Sequence, residues 1–156
     1  MDEIAPPMAA DGAPPDVATG FIQLTHVVQD IHARLAQRHD LAPIQAKLLC
    51  VLAGGPRGMT ELAHCFGVEK AALTGLVDRA ERRGLATRSP APGDRRALRV
   101  TLTDSGREAA AAFHADATAE LNELVRALAP DDRERFSAAV ARIIAGAQRT
   151  LPWPAP

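Results

Sequence analysis

The stretch from Thr60 to Gly106 constrains this chain most, because it dictates two short helices, a glycine-marked turn and an arginine-tipped hairpin in that order. Thr60 is placed to cap a short helix whose Leu62, Ala63 and Phe66 share a face, and Gly67 supplies the turn before a second helix. Val68, Leu73, Leu76, Val77 and Ala80 recur at helical spacing on the second helix, and Gly84 stops it. Its other side carries Lys70, Thr74, Asp78 and Arg79, a polar and partly basic face of the kind that lies in a DNA major groove.

Beyond Gly84, Leu85 to Ser89 can form one strand, and Leu98, Val100 and Leu102 alternate with Arg99 and Thr101 in another. The intervening Pro90-Ala91-Pro92-Gly93-Asp94-Arg95-Arg96 contains two prolines and a glycine, so a loop is expected, with its adjacent arginines projecting furthest from the body. Guanidinium groups there suit phosphate and minor-groove contacts. The expected DNA-contacting set is Thr60, Lys70, Ala71, Ala72, Thr74, Gly75 and Arg79 from the helices, with Arg88, Asp94, Arg95 and Arg96 from the hairpin. Ala71, Ala72 and Gly75 offer only methyl or backbone contacts, so base readout should be sparse and groove shape should matter. For Gly75, close approach to DNA and close packing of another helix are equally open readings.

Glu61-Leu62-Ala63, Leu76-Val77-Asp78-Arg79, Arg83-Gly84-Leu85 and Asp94-Arg95-Arg96, followed by Leu102-Thr103-Asp104-Ser105-Gly106, together resemble the signature of MarR-family transcriptional regulators. The similarity runs from about Val17 to Arg149. It implies a mainly α fold: a winged helix-turn-helix with a small β-hairpin wing and N- and C-terminal dimerisation helices. It also implies a dimeric repressor or activator whose DNA affinity is altered by a small phenolic or lipophilic acid, or by oxidation. Resemblance and chemistry together suggest that the Asp94 carboxylate steadies Arg96 in a minor groove. Ala71 and Ala72 stand where the family often has hydroxyl side chains, and Gly75 where it often has a long polar residue. These departures keep open a winged-helix protein-interaction module without DNA binding.

The flanks read as helical packing material. Val17, Phe21, Leu24, Val28, Ile31 and Leu35 alternate at steps of four and three, giving a first helix to about Arg38 whose stripe needs a cover. Pro43 suits the first turn of a second helix burying Ile44, Leu48, Leu49 and Leu52, and residues 54–58 end it. Ser105 and Glu108 fit a capping box for a long helix with Phe113, Ala117, Leu121, Leu124 and Leu128 on one stripe. Pro130 and the acidic Asp131, Asp132 and Glu134 open a last helix bearing Phe136, Val140, Ile143 and Ile144. Two terminal seams suit a dimerisation layer, with a monomeric helical cap as the alternative.

The expected organisation is a disordered tail at 1–15, one domain at 16–150 and a flexible tail at 151–156, where Pro152, Pro154 and Pro156 forbid further helix. Within the domain, 16–39 and 105–150 are the dimerisation helices and 43–103 the DNA-reading winged helix. One domain suits a chain of 156 residues. Its net charge of −1 gives no reason for a nucleic-acid partner, but the distribution does. Residues 57–107 hold ten Lys or Arg against six Asp or Glu, and the remainder eight against thirteen.

The opening Met-Asp-Glu-Ile lacks a basic and apolar leader, and the longest apolar run, Leu48 to Ala53, is too short to span a bilayer, so a cytoplasmic, membrane-free protein is expected. No GxSxG, Walker loop or HExxH occurs, which argues against an enzyme; no cofactor is expected. A methyltransferase dimerisation domain would need a cofactor domain beside it. His32 and His39 are about 10.5 Å apart along a helix, too far to share a metal unaided. Cys50 and Cys65 read as core thiols, with a thiol-based redox sensor as the alternative. The scarcity of aromatic side chains makes an aromatic effector cage hard to assemble, and an effector would lie between the first two helices and the base of the long one. The partners expected are thus double-stranded DNA with a pseudo-palindromic site, a second copy of the chain and a small-molecule effector.

Overall fold

Helix α1 spans Val17–Arg38, opened by Asp16, whose carboxylate accepts the N–H groups of Ala18 and Thr19. The Thr19 hydroxyl and N–H hold that carboxyl below its usual pKa range. The computed structural model describes residues 15–149, so the terminal prolines and nearly all of both expected tails lie outside the described residues. Only the second half of the α1 seam is covered within one copy: Ile31 and Leu35 are buried, while Val17, Phe21 and Leu24 are exposed.

Helix α2, Pro43–Ala53, starts with Pro43 in its first turn as expected. Its buried side centres on Gln45, Ala46, Leu48, Leu49 and Leu52, which leaves Ile44 exposed, contrary to expectation. The glycine-rich turn that follows contains an unexpected short strand, β1, Arg57–Gly58. Helix α3 is Met59–Phe66, capped by Gly58, whose backbone is extended and whose N–H donates to Glu61 Oε2 at 3.4 Å. Thr60 is therefore an exposed residue of the first turn and not the cap. Gly67, at φ 62°, makes the left-handed turn into α4, Lys70–Arg82, where Leu73, Leu76, Val77 and Ala80 are buried. Val68 lies in the turn before α4 and packs partly against the core.

Strands β2, Ala86–Ala91, and β3, Asp94–Leu102, are antiparallel and reach further than the sequence suggested, so Asp94, Arg95 and Arg96 belong to a strand and not to a free loop. The sheet order is β1-β3-β2, with Arg57 opposite Val100 and Gly58 opposite Arg99.

Helix α5, Asp104–Leu124, is capped by Thr103 and not by Ser105. The Thr103 hydroxyl accepts the Gly106 N–H at 3.0 Å and donates to the Gly84 carbonyl at 2.6 Å, tying the helix start to the end of α4. A Cβ on Gly106 would lie 1.8 Å from the Leu85 carbonyl oxygen, so only glycine allows this junction. Phe113 and Ala117 reach the core, whereas Leu124 is exposed and Leu128 falls beyond the helix end.

Helix α6, Pro130–Gln148, begins with Pro130, Asp131 and Asp132 as expected, yet buries none of its residues. Phe136, Ile143 and Ile144 remain 43%, 49% and 50% exposed. The core therefore joins the second half of α1, α2, α3, α4, the sheet and the first part of α5, and leaves both terminal seams open. No helix among the described residues is long and apolar enough to cross a membrane.

Candidate nucleic-acid interface

Burial of Leu73, Leu76, Val77 and Ala80 fixes the rotation of α4, and this exposes Lys70, Ala71, Ala72 and Arg79 on its other side. Thr74 is half-buried and donates its hydroxyl to the Lys70 carbonyl at 2.9 Å, which leaves oxygen lone pairs as its outward chemistry. Gly75 meets no neighbouring element: a Cβ there would find only the flexible Arg79 Nη1, at 3.6 Å. Close helix packing does not explain this glycine.

The wing owes its shape to a register shift. Pro90 pairs with Leu98, but Ala91 pairs with Asp94, so Arg95, Arg96 and Ala97 have no partners across the hairpin and form a bulge. Gly93, at φ 81°, turns the tip. Asp94 Oδ1 accepts the Arg96 backbone N–H at 2.9 Å, so the carboxylate shapes the bulge through the main chain. Arg95 and Arg96 are both exposed.

Arg88 is placed differently. Its guanidinium donates to Asp78 Oδ1 at 2.5 Å and to Glu81 Oε2 at 2.6 Å, and its backbone N–H donates to Glu81 Oε1 at 2.7 Å. The hydrogen bond that Arg88 donates to Glu81 does most to raise the Arg88 pKa, and Asp78 adds to it, against partial desolvation. Arg88 thus braces β2 against α4, and Asp78 belongs to this brace.

The same division sorts the other cations of the segment. Arg57, Arg83 and Arg107 pair with Glu61, Asp40 and Asp104 respectively, and Arg99 donates to the Pro56 carbonyl at 3.2 Å. Among the described residues, Lys70, Arg79, Arg82, Arg95 and Arg96 have no carboxylate within salt-bridge distance. Arg82 was missed by sequence reasoning. Its signal is its spacing, three residues beyond Arg79 on the same helix. The exposed cations thus lie along α4 and at the wing tip, where a polyanion would not have to displace an internal carboxylate.

The remaining candidates behave as structure. His32 and His39 both stand edge-on to Phe113, with ring centroids 5.7 and 5.8 Å away, and His39 Nε2 lies 2.8 Å from Asp116 Oδ2. No group of three or more His, Cys, Asp or Glu among the described residues could hold a metal ion. Cys50 is exposed as a residue, contrary to expectation, yet packing around its sulfur pushes the thiol pKa up; Cys65 is half-buried.

A sequence model of the MarR family matches residues 39–97. The HTH-type transcriptional repressor NicR of Pseudomonas putida is 36% identical over 101 residues, covering 62% of this chain and 64% of that repressor. The chain thus spans less than two thirds of that relative's length. Wild-type MarR of E. coli, in its apo form, superposes with a TM-score of 0.74 at 22% identity, covering 85% of this chain and 98% of that one. The transcriptional repressor CouR, solved bound to a 23-mer DNA duplex, gives 0.65 at 28% identity, covering 82% and 92%.

Proposed function

We propose that the chain is a MarR-type regulator: a cytoplasmic, dimeric, sequence-specific DNA-binding repressor whose affinity is tuned by a small ligand. The observation that carries this reading is the sorting of the cations. Among the described residues, Lys70, Arg79 and Arg82 on α4 and Arg95 and Arg96 on the wing lack internal carboxylate partners, whereas Arg57, Arg83, Arg88 and Arg107 have them. In the proposed complex α4 enters the major groove, with Thr60 and Thr74 near its edge and Ala71, Ala72 and Gly75 allowing close approach. The wing carries Arg96 to the minor groove, and Asp94 holds the bulge that presents it. Arg88 acts indirectly, by fixing the wing to the helix. The 23-mer duplex in the CouR structure supports the partner class. The exposed seams of α1 and α6 support a second copy as the other partner. The function is regulatory, not catalytic.

Fluorescence anisotropy with genomic duplex fragments across a salt series tests this reading. Tight binding to a subset of fragments, with affinity falling steeply as salt rises, is expected. Equal, weak binding to all fragments would overturn sequence-specific recognition.

A further inference from the structure

Arg83 terminates α4 but does not join the exposed cationic surface, because its guanidinium crosses to the corner between α1 and α2. Nη1 donates to the Asp40 carbonyl at 2.5 Å and, at a longer 3.4 Å, to Gln45 Oε1; Nη2 donates to Asp40 Oδ2 at 3.0 Å. The corner is shaped to receive such a fork. Asp40 has φ 53°, a left-handed conformation that Asp and Asn tolerate better than most residues. Gln45, only 7% exposed, uses the same side-chain oxygen to accept the Ala42 N–H at 3.1 Å, so the fork ends on the cap of α2.

The other side of the corner is tied to α5. His39, the residue before Asp40, places Nε2 at 2.8 Å from Asp116 Oδ2. Adjacent residues are therefore gripped by α5 and by the end of α4. Helices α1 and α5 continue into the terminal seams, so the Arg83 fork connects α4 directly to the layer proposed above to receive a second copy. The Asp40 carboxylate is almost wholly exposed, and as an ion pair alone it would count for little. The geometry comes from the planar fork, which holds a carbonyl oxygen and a carboxylate oxygen of one residue together.

Resting on the DNA-binding reading above, we infer that Arg83 is a positioning residue that sets the separation of the two α4 helices in the dimer and hence selectivity for half-site spacing. It acts without touching DNA. A guanidinium that merely contacted phosphate would be replaceable by lysine. A fork that sets geometry would not.

The test measures affinities of the full-length wild type, Arg83→Gln, Arg83→Lys and Arg96→Ala for one selected operator and for versions with one base pair added or removed at its centre. Thermal melting and sedimentation verify that each variant is folded and dimeric. The wild type should disfavour both altered spacings, and this penalty should shrink by about threefold or more in Arg83→Gln and Arg83→Lys alike. Arg96→Ala should weaken all three duplexes by the same factor. Retention of the wild-type spacing profile by Arg83→Lys, or a uniform loss with a smaller salt slope in Arg83→Gln, would overturn the inference and assign Arg83 to phosphate contact. An unchanged profile in both Arg83 variants would overturn it while leaving the DNA-binding reading intact. A wild type that binds no duplex at all would overturn that reading and this inference with it.

Discussion

Asp94 and Arg96 are joined through the main chain and not between their charges: Asp94 Oδ1 accepts the Arg96 N–H at 2.9 Å and closes the bulge that exposes the arginine. Arg96→Ala should therefore weaken DNA binding strongly and reduce the salt slope by about 0.9 for each phosphate no longer neutralised. Asp94→Ala should weaken it less, and Asp94→Asn should recover part of the loss, because an amide oxygen can also accept the N–H. Anisotropy titrations at several salt concentrations read all three. An unchanged slope for Arg96→Ala would mean that Arg96 senses groove shape and not phosphate charge.

Gly75 offers a case in which stability and function should move in opposite directions. A Cβ there has ordinary room, so Gly75→Ala should stabilise the free protein by about 0.5–1 kcal/mol through helix propensity alone. The added methyl should weaken DNA binding if the backbone of α4 must approach the duplex closely. Chemical denaturation and operator titration of the same variant check both. Unchanged affinity would remove Gly75 from the interface.

Helix α6 buries nothing within one copy, so its apolar residues need a partner. The protein should sediment as a dimer at micromolar concentration, and Ile143→Glu with Ile144→Glu should yield a folded monomer. The core is unaffected because neither side chain contributes to it. A wild type that remains monomeric at high concentration would contradict the dimer.

The Cys50 thiol should be a poor redox trigger. Burial raises its pKa above the ordinary value of 9.0, and a raised pKa leaves less thiolate at any pH below it. Cys50 should therefore alkylate more slowly at pH 8 than a small-molecule thiol, and Cys50→Ser should leave DNA binding unchanged. Rapid alkylation, or peroxide-sensitive binding abolished by Cys50→Ser, would reverse this.

Arg88 should matter to stability more than to contact. Arg88→Ala removes charge-assisted hydrogen bonds to Asp78 and Glu81 that are only partly open to solvent, a loss of about 1–2 kcal/mol in denaturation. Asp78→Asn should mimic part of that loss, which removal of a phosphate contact would not.

The helices were legible because their signals are local: Pro43 and Pro130 in first turns, Gly67 and Gly84 at positive φ, and apolar residues recurring at helical spacing. The misplaced caps show where local rules compete. Thr60 and Ser105 both have the right chemistry, but chain direction decided the matter, since the backbone is extended at Gly58 and Thr103 instead. The two-residue β1 carries no periodicity, and only its pairing with β3 creates it. Arg88 looked like a wing cation because its carboxylate partners sit three residues apart on another element. The Arg83 fork bridges 43 residues of chain and left no local trace at all.

Two copies of the chain are expected to present α4 and the wing to two related stretches of duplex DNA. Selection of bound sequences from random duplex DNA by the full-length protein tests it most directly. Enrichment of an inverted repeat whose half-site centres lie about one helical turn apart, bound at two chains per duplex, is the expected result. Failure to enrich any sequence, or enrichment of a lone half-site bound by one chain, would contradict it.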